Sequence, residues 1–181
     1  MARYAAFLRA VNLGGNRRVS SAELRSCFED AGLEEVGTFR TSGNVVFAAG
    51  RESRARLAKR IEGALEQALG YEVPIFLRSA AEVDAIAAER PFPAKLVEAS
   101  AGKLQVALLP GKPTAQRRKR ALALQTDDDR LAFGDCELYW LPSAGTMESS
   151  LDRKQLDELV GPTTVRTKGT IEHLAAKFFA G

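Results

Sequence analysis

The tetrapeptide Thr41-Ser42-Gly43-Asn44 lies between two short runs, Val36 to Arg40 and Val45 to Ala49, and a helical pattern brackets the pair on either side. A polar turn with glycine between β-branched stretches predicts a hairpin. Before it, Ser20-Ser21-Ala22-Glu23 reads as a capping box, with Leu24, Phe28 and Ala31 on one stripe and Gly32 as the stop. A helix from Ser21 to Ala31 follows from that pattern. After the hairpin, Leu57, Ile61, Ala64, Leu65 and Ala68 recur at helical spacing within Glu52 to Leu69. Tyr4 to Val11, a nearly unbroken apolar run, and Glu72 to Arg78 add a strand at each end. The order strand, helix, strand, strand, helix, strand is that of the split βαβ unit of a ferredoxin-like sandwich.

The remainder repeats this order without repeating the letters. A linking helix near Ala80 to Glu89 and the break Pro91-Phe92-Pro93 lead to a strand at Lys103 to Leu109 and a helix at Thr114 to Leu124. Arg130 to Phe133 and Cys136 to Leu141 are strands with an expected two-residue turn at Gly134-Asp135. Ser150 to Val160 is helical and stops at Gly161-Pro162, and Thr163 to Thr167 forms a last strand before a helix from Thr170 to Phe179. The prediction is an α/β protein of the α+β type, two ferredoxin-like split βαβ units with mostly antiparallel sheets. The first unit takes residues 1–78, and residues 79–181 hold the linking helix, the second unit and the C-terminal helix.

Across 181 residues, 26 Lys and Arg stand against 23 Asp and Glu, a net of +3 that is too balanced to imply a polyanion partner by itself. The first residues lack the basic start, apolar run and cleavage site of a secretory signal, and no apolar stretch has membrane-spanning length, so a cytoplasmic protein is expected. Cys27 and Cys136 are too far apart in sequence for metal-ligand spacing, and His173 is the single histidine. Cys27 falls between Leu24 and Phe28, a packing position.

In the split βαβ order, a right-handed crossover makes strands one and two parallel, and strand three returns between them. The loop after strand one, the start of helix one and the hairpin therefore share one end of the sheet. That end collects Arg9, Asn12, Gly14, Gly15 and Arg17 from the loop and Ser42, Gly43 and Asn44 from the hairpin. Arginines offer a guanidinium fork, the amides and hydroxyl offer hydrogen bonds, glycines permit close backbone approach, and a helix N-terminus offers amides. These are anion-binding ingredients. Asn-Leu-Gly-Gly-Asn matches neither the phosphate loop nor the dinucleotide fingerprint. A small anionic or phosphate-bearing ligand is the expected partner; no cofactor, catalytic group or oligomeric state is named by the residues.

Arg9, Asn12, Gly14 and Gly15 in the first loop, Ser42-Gly43-Asn44-Val45-Val46-Phe47 in the hairpin, and Thr164-Val165-Arg166 with Thr170 near the end resemble the bacterial domain-of-unknown-function 1697 family. The resemblance covers essentially the whole chain. It implies two ferredoxin-like halves and a cytoplasmic bacterial protein, with no established activity, and adds Arg166 to the residues of interest. Thr167 stands where the family usually has asparagine after that arginine.

Two other readings come from the residues. Gln116-Arg117-Arg118-Lys119-Arg120 is the most basic run, offering nucleic-acid or polyanion binding, with Ala115 and Leu122 expected inward and Arg118 or Lys119 snorkelling over the core. Asp127-Asp128-Asp129 after it partly offsets its field. A non-catalytic protein-protein scaffold is the third. Tyr4, Phe7 and Phe47 sit in runs apolar at successive positions, which makes them core and not an RNA-stacking platform.

Overall fold

Alternation along the strands decides how the first sheet is covered. Ala6 and Leu8 of β1 (Ala2–Leu8), Val45, Phe47 and Ala49 of β3 (Asn44–Ala49) and Leu77 of β4 (Ile75–Ser79) share one face. Over that face lie Leu24, Cys27 and Phe28 of α1 (Ser21–Asp30) and Leu57, Ile61 and Leu65 of α2 (Arg54–Leu69). With β2 (Glu34–Thr38) at the edge, the strand order is β2-β3-β1-β4 and every pairing is antiparallel. The computed structural model, which describes residues 1–11, 18–41 and 43–180, thus has the split βαβ order in its first unit.

The second unit uses β5 (Gln105–Leu108), α5 (Ala115–Leu122), β6 (Asp129–Phe133), β7 (Glu137–Pro142), α6 (Arg153–Val160) and β8 (Thr164–Thr167) in the same way. Its strand order is β6-β7-β5-β8, again antiparallel throughout. Ala107, Leu131, Leu138 and Trp140 face Ala121, Leu156, Leu159 and Val160. Before it come α3 (Ala80–Ala88) and a short helix absent from the sequence-based expectation, α4 (Ala94–Ala99), which buries none of its side chains; α7 (Lys168–Phe178) ends the chain. Met1–Asp84 with Lys177–Gly181 form one compact unit and Ala85–Ala176 the other.

The two units repeat each other down to single hydrogen bonds. Leu8 N–H donates to the Gly43 carbonyl at 2.8 Å, and Leu109 N–H to the Cys136 carbonyl at 2.9 Å. Phe39 N–H meets the Asn44 carbonyl as Gly134 N–H meets that of Glu137, 2.9 Å in each case. Arg78 sits opposite Ala5 as Arg166 sits opposite Val106. Both arginines are buried, and each donates from Nη1 to the carbonyl of the residue before it, Leu77 or Val165, at 2.9 Å.

Several expected bounds change: α6 begins at Arg153 instead of Ser150, and β5 at Gln105 instead of Lys103. β1 stops at Leu8 instead of Val11, because Ala10 takes a left-handed φ of 60° that no strand accommodates. β2 begins at Glu34, two residues early. The second hairpin turns on Asp135-Cys136, since Gly134 N–H already bonds the Glu137 carbonyl. The aromatics are core as expected: Phe7 and Phe47 are buried, and Tyr4 stacks on Phe47 at 5.8 Å.

Asp129 is wholly buried and organises one corner of the second unit. Its Oδ1 accepts from Trp140 Nε1 and Ser149 Oγ, both at 2.7 Å, and its Oδ2 from Thr126 Oγ1 at 3.1 Å. Asp129→Asn presents an amide to a ring of donors and is expected to cost about 2–3 kcal/mol. A lower urea midpoint, followed by the fluorescence of the single tryptophan, checks it.

In the first unit, Glu82 receives Arg54 Nη1 and Nη2 at 3.0 and 2.7 Å and Ser79 N–H at 2.7 Å. Burial raises its pKa, but the Arg54 and Ser79 hydrogen bonds and the Arg54 charge outweigh burial and hold it below the usual carboxylate range. A depressed carboxylate stabilises the fold above its unfolded pKa and loses that contribution as pH falls through the folded value. Glu82→Gln is therefore expected to be less stable than wild type at neutral pH, the gap closing below about pH 4 in a pH series of thermal melts.

Candidate functional site

β1 is held on both flanks as it ends. Leu8 N–H bonds the Gly43 carbonyl on the β3 side, and Arg9 N–H bonds the Pro74 carbonyl at 2.9 Å on the β4 side. The chain then bends through Arg9 and Ala10, and Val11 returns to the core at 6% exposure. Val11 is packed on the hairpin: a Cβ added at Gly43 would stand 2.5 Å from Val11 Cγ2 and 3.0 Å from Leu8 Cβ. The first loop and the hairpin thus meet, which is the juxtaposition the topology predicts.

Three of the seven left-handed residues among those described lie there. Ala10 has φ 60°, Arg40 φ 59° and Gly43 φ 71°. Two of the three carry a Cβ, at a cost of roughly 1–2 kcal/mol each. Such strain persists only where the surroundings impose it, and it gathers at ligand-binding sites more than elsewhere.

Each predicted residue has a definite place. Arg9 lies one residue beyond β1, half-buried, and not inside the apolar strand; its guanidinium forms no ion pair with a described residue. Asn44 is 1% exposed and its Nδ2 donates to the Phe39 carbonyl at 2.9 Å, so it clamps the hairpin from within. Asn12, Gly14, Gly15, Arg17 and Ser42 lie outside the described residues. Arg166 belongs to the second unit, where Thr164 Oγ1 and the Val165 carbonyl each accept its Nη1 at 2.9 Å and burial lowers its pKa to about 10.

The start of α1 corrects one part of the expectation. Ser20 Oγ accepts from Glu23 N–H at 3.1 Å, and Glu23 Oε2 accepts from Ser20 N–H at 2.7 Å. That hydrogen bond and the Ser20 hydroxyl hold the Glu23 carboxyl below its ordinary range. The helix N-terminus already carries its own carboxylate, which repels a second anion.

Sequence reasoning missed Arg40, Lys177 and Arg78. Arg40 lies over Phe39 at 5.2 Å, Lys177 Nζ lies 5.8 Å from the same ring, and Phe178 meets that ring edge-on at 6.1 Å. Lys177 has no local signal, since only tertiary packing carries the chain's end to the hairpin. Arg78 has one: Leu77-Arg78-Ser79 matches Val165-Arg166-Thr167 as apolar, arginine, hydroxyl. Among the described residues, no group of three His, Cys, Asp or Glu is placed to hold a metal ion, and no helix is long and apolar enough to cross a membrane.

A family model described as Protein of unknown function (DUF1697) matches residues 1–139, which include both loops of this site. The chain belongs to this family. The match ends before Thr164-Val165-Arg166. A solved structure, that of conserved bacterial protein SP0830 from Streptococcus pneumoniae, is similar with a TM-score of 0.74 at 23% identity, over 99% of this chain and 99% of that one. At that identity the likeness speaks for the fold. No curated protein matches.

Gly43→Ala in this DUF1697 protein combines a left-handed φ with overlap onto Val11, and is expected to cost roughly 2–4 kcal/mol. Ala10→Gly removes strain and is expected to leave stability unchanged or raise it by up to about 1 kcal/mol. Urea unfolding of both variants checks the opposite directions.

Proposed function

We propose that the first unit binds a small anion, a phosphate- or carboxylate-bearing ligand, at the sheet end where the loop after β1 meets the β2–β3 hairpin. The observation that carries this reading is Arg9. Its backbone is fixed by Pro74 while its guanidinium has no described carboxylate partner, and it lies between Leu8, which with Val11 packs on Gly43, and the left-handed Ala10. A half-buried arginine held ready in this way gains most from a carboxylate or phosphate that takes its fork in two hydrogen bonds.

The roles divide accordingly. Arg9 supplies charge, with Arg17 as a second cation by sequence; Asn12 and Ser42 supply hydrogen bonds, and Gly14 and Gly15 allow close approach. Asn44 and Gly43 shape the hairpin that forms one wall. Neither a nucleophile nor a general base is assigned, so the reading is binding and not turnover.

Thermal shift against nucleotides, phosphorylated sugars and dicarboxylates tests it. A ligand at a hundredfold excess over its Kd is expected to raise Tm by roughly 5 °C or more. Arg9→Ala is expected to lose most of that rise, whereas Arg117→Ala keeps it. If no anion stabilises the wild-type chain, or if Arg9→Ala responds as wild type does, the reading fails and a scaffold role replaces it.

A further inference from the structure

We infer that the exposed side of α5 binds the sugar-phosphate backbone of a nucleic acid, independently of the anion site proposed for the first unit. The helix has eight residues, four of them the consecutive cations Arg117, Arg118, Lys119 and Arg120, and no acidic residue. Arg117, Lys119 and Arg120 are exposed. Arg118 is the one that turns inward, its guanidinium 5.0 Å over the Phe133 ring, while Ala121 is buried and Ala115 is not. Arg117, Lys119 and Arg120 have no ion-pair partner among the described residues; the neighbouring Lys112 takes Asp135 at 2.8 Å, and the Arg118 charge acts on the same carboxylate.

Helix stability accounts for only part of this charge. Lys119 and Arg120 lie in the last turn, where the macrodipole favours cations, but Arg117 lies in the first turn, where it does not. Arg117 and Arg120, three residues apart, repel on one face. A run that weakens its own helix and leaves Arg117, Lys119 and Arg120 without ion pairs among the described residues gains from a polyanion outside the chain. Three of the four are arginine, whose planar fork matches phosphate.

The setting favours nucleic acid over an acidic peptide or a lipid surface. Lys112, Arg118 and Lys119 rim a shallow cleft of about 500 Å³ floored by Pro113, Ala115 and Leu122. Cations beside an apolar floor match phosphates beside a base or sugar. Of the aspartates after α5, Asp129 turns inside, while Asp127 and Asp128 stay exposed beyond the C-terminal end of the helix and offset part of this field.

Fluorescence anisotropy with single-stranded and duplex oligonucleotides of about 20 nucleotides, over a salt series, reads the contact number directly. The wild-type chain is expected to give a slope of log K against log salt of roughly −3 to −4. Arg117→Ala with Arg120→Ala is expected to flatten it by about 2 and weaken binding on the order of 50-fold at about 0.1 M salt, with the urea midpoint unchanged or raised. The Arg117→Lys, Arg120→Lys pair keeps the slope, and so does Arg9→Ala. Failure of both oligonucleotides to bind, a wild-type slope in the double alanine variant, or equal affinity for polyglutamate or phosphatidylserine vesicles would each overturn the inference.

Discussion

The hydrogen bond from Leu8 N–H to the Gly43 carbonyl decides the geometry of the sheet end where the first loop meets the hairpin. It extends the β1–β3 ladder by one rung beyond Phe7 and Asn44, and so draws the loop after β1 against the hairpin. Gly43 has no side chain to obstruct that rung, and Val11 fills the space a Cβ would need. Ala10 and Arg40 are left to absorb the bend, each in left-handed backbone. Arg9, set between the ladder and the strained turn, is positioned by these neighbours and by its backbone bond to Pro74.

Much of the fold was legible because two periods alternate cleanly along the chain. The capping box at Ser20 and Glu23 was read from four letters and forms as such, and the buried stripe of α1 follows the predicted Leu24 and Phe28. Strand ends were harder, since Val11 is as apolar as Phe7 and only the φ of Ala10 separates core strand from core loop. α4 went unseen because a helix that buries nothing leaves no hydrophobic period to read. At the site, the meeting of two loops followed from topology, whereas Lys177 beside Phe39 is a contact across more than a hundred residues with no trace in local spacing.

Electrostatics in this chain is a matter of place, not of total. A net charge of +3 says little, yet α5 concentrates four adjacent cations while α1 caps itself with an acid. The buried arginines follow another rule. Arg78 and Arg166 each turn back onto their own strand, and each precedes a hydroxyl residue at a helix start, Ser79 or Thr167, whose oxygen accepts a backbone N–H three residues on. The recurrence in two units with little shared sequence marks this as a constraint of the strand-to-helix junction.

The tip of a β-hairpin is ordinarily the place where a protein tolerates an added segment, because its ends are close and its side chains face solvent. Here the turn is wedged against Val11, itself part of the hydrophobic core. An epitope or reporter spliced in at this point would therefore pry open the interior instead of hanging from the surface. The exposed stretch around Met147, at 92% exposure, is the better port of entry for such a graft.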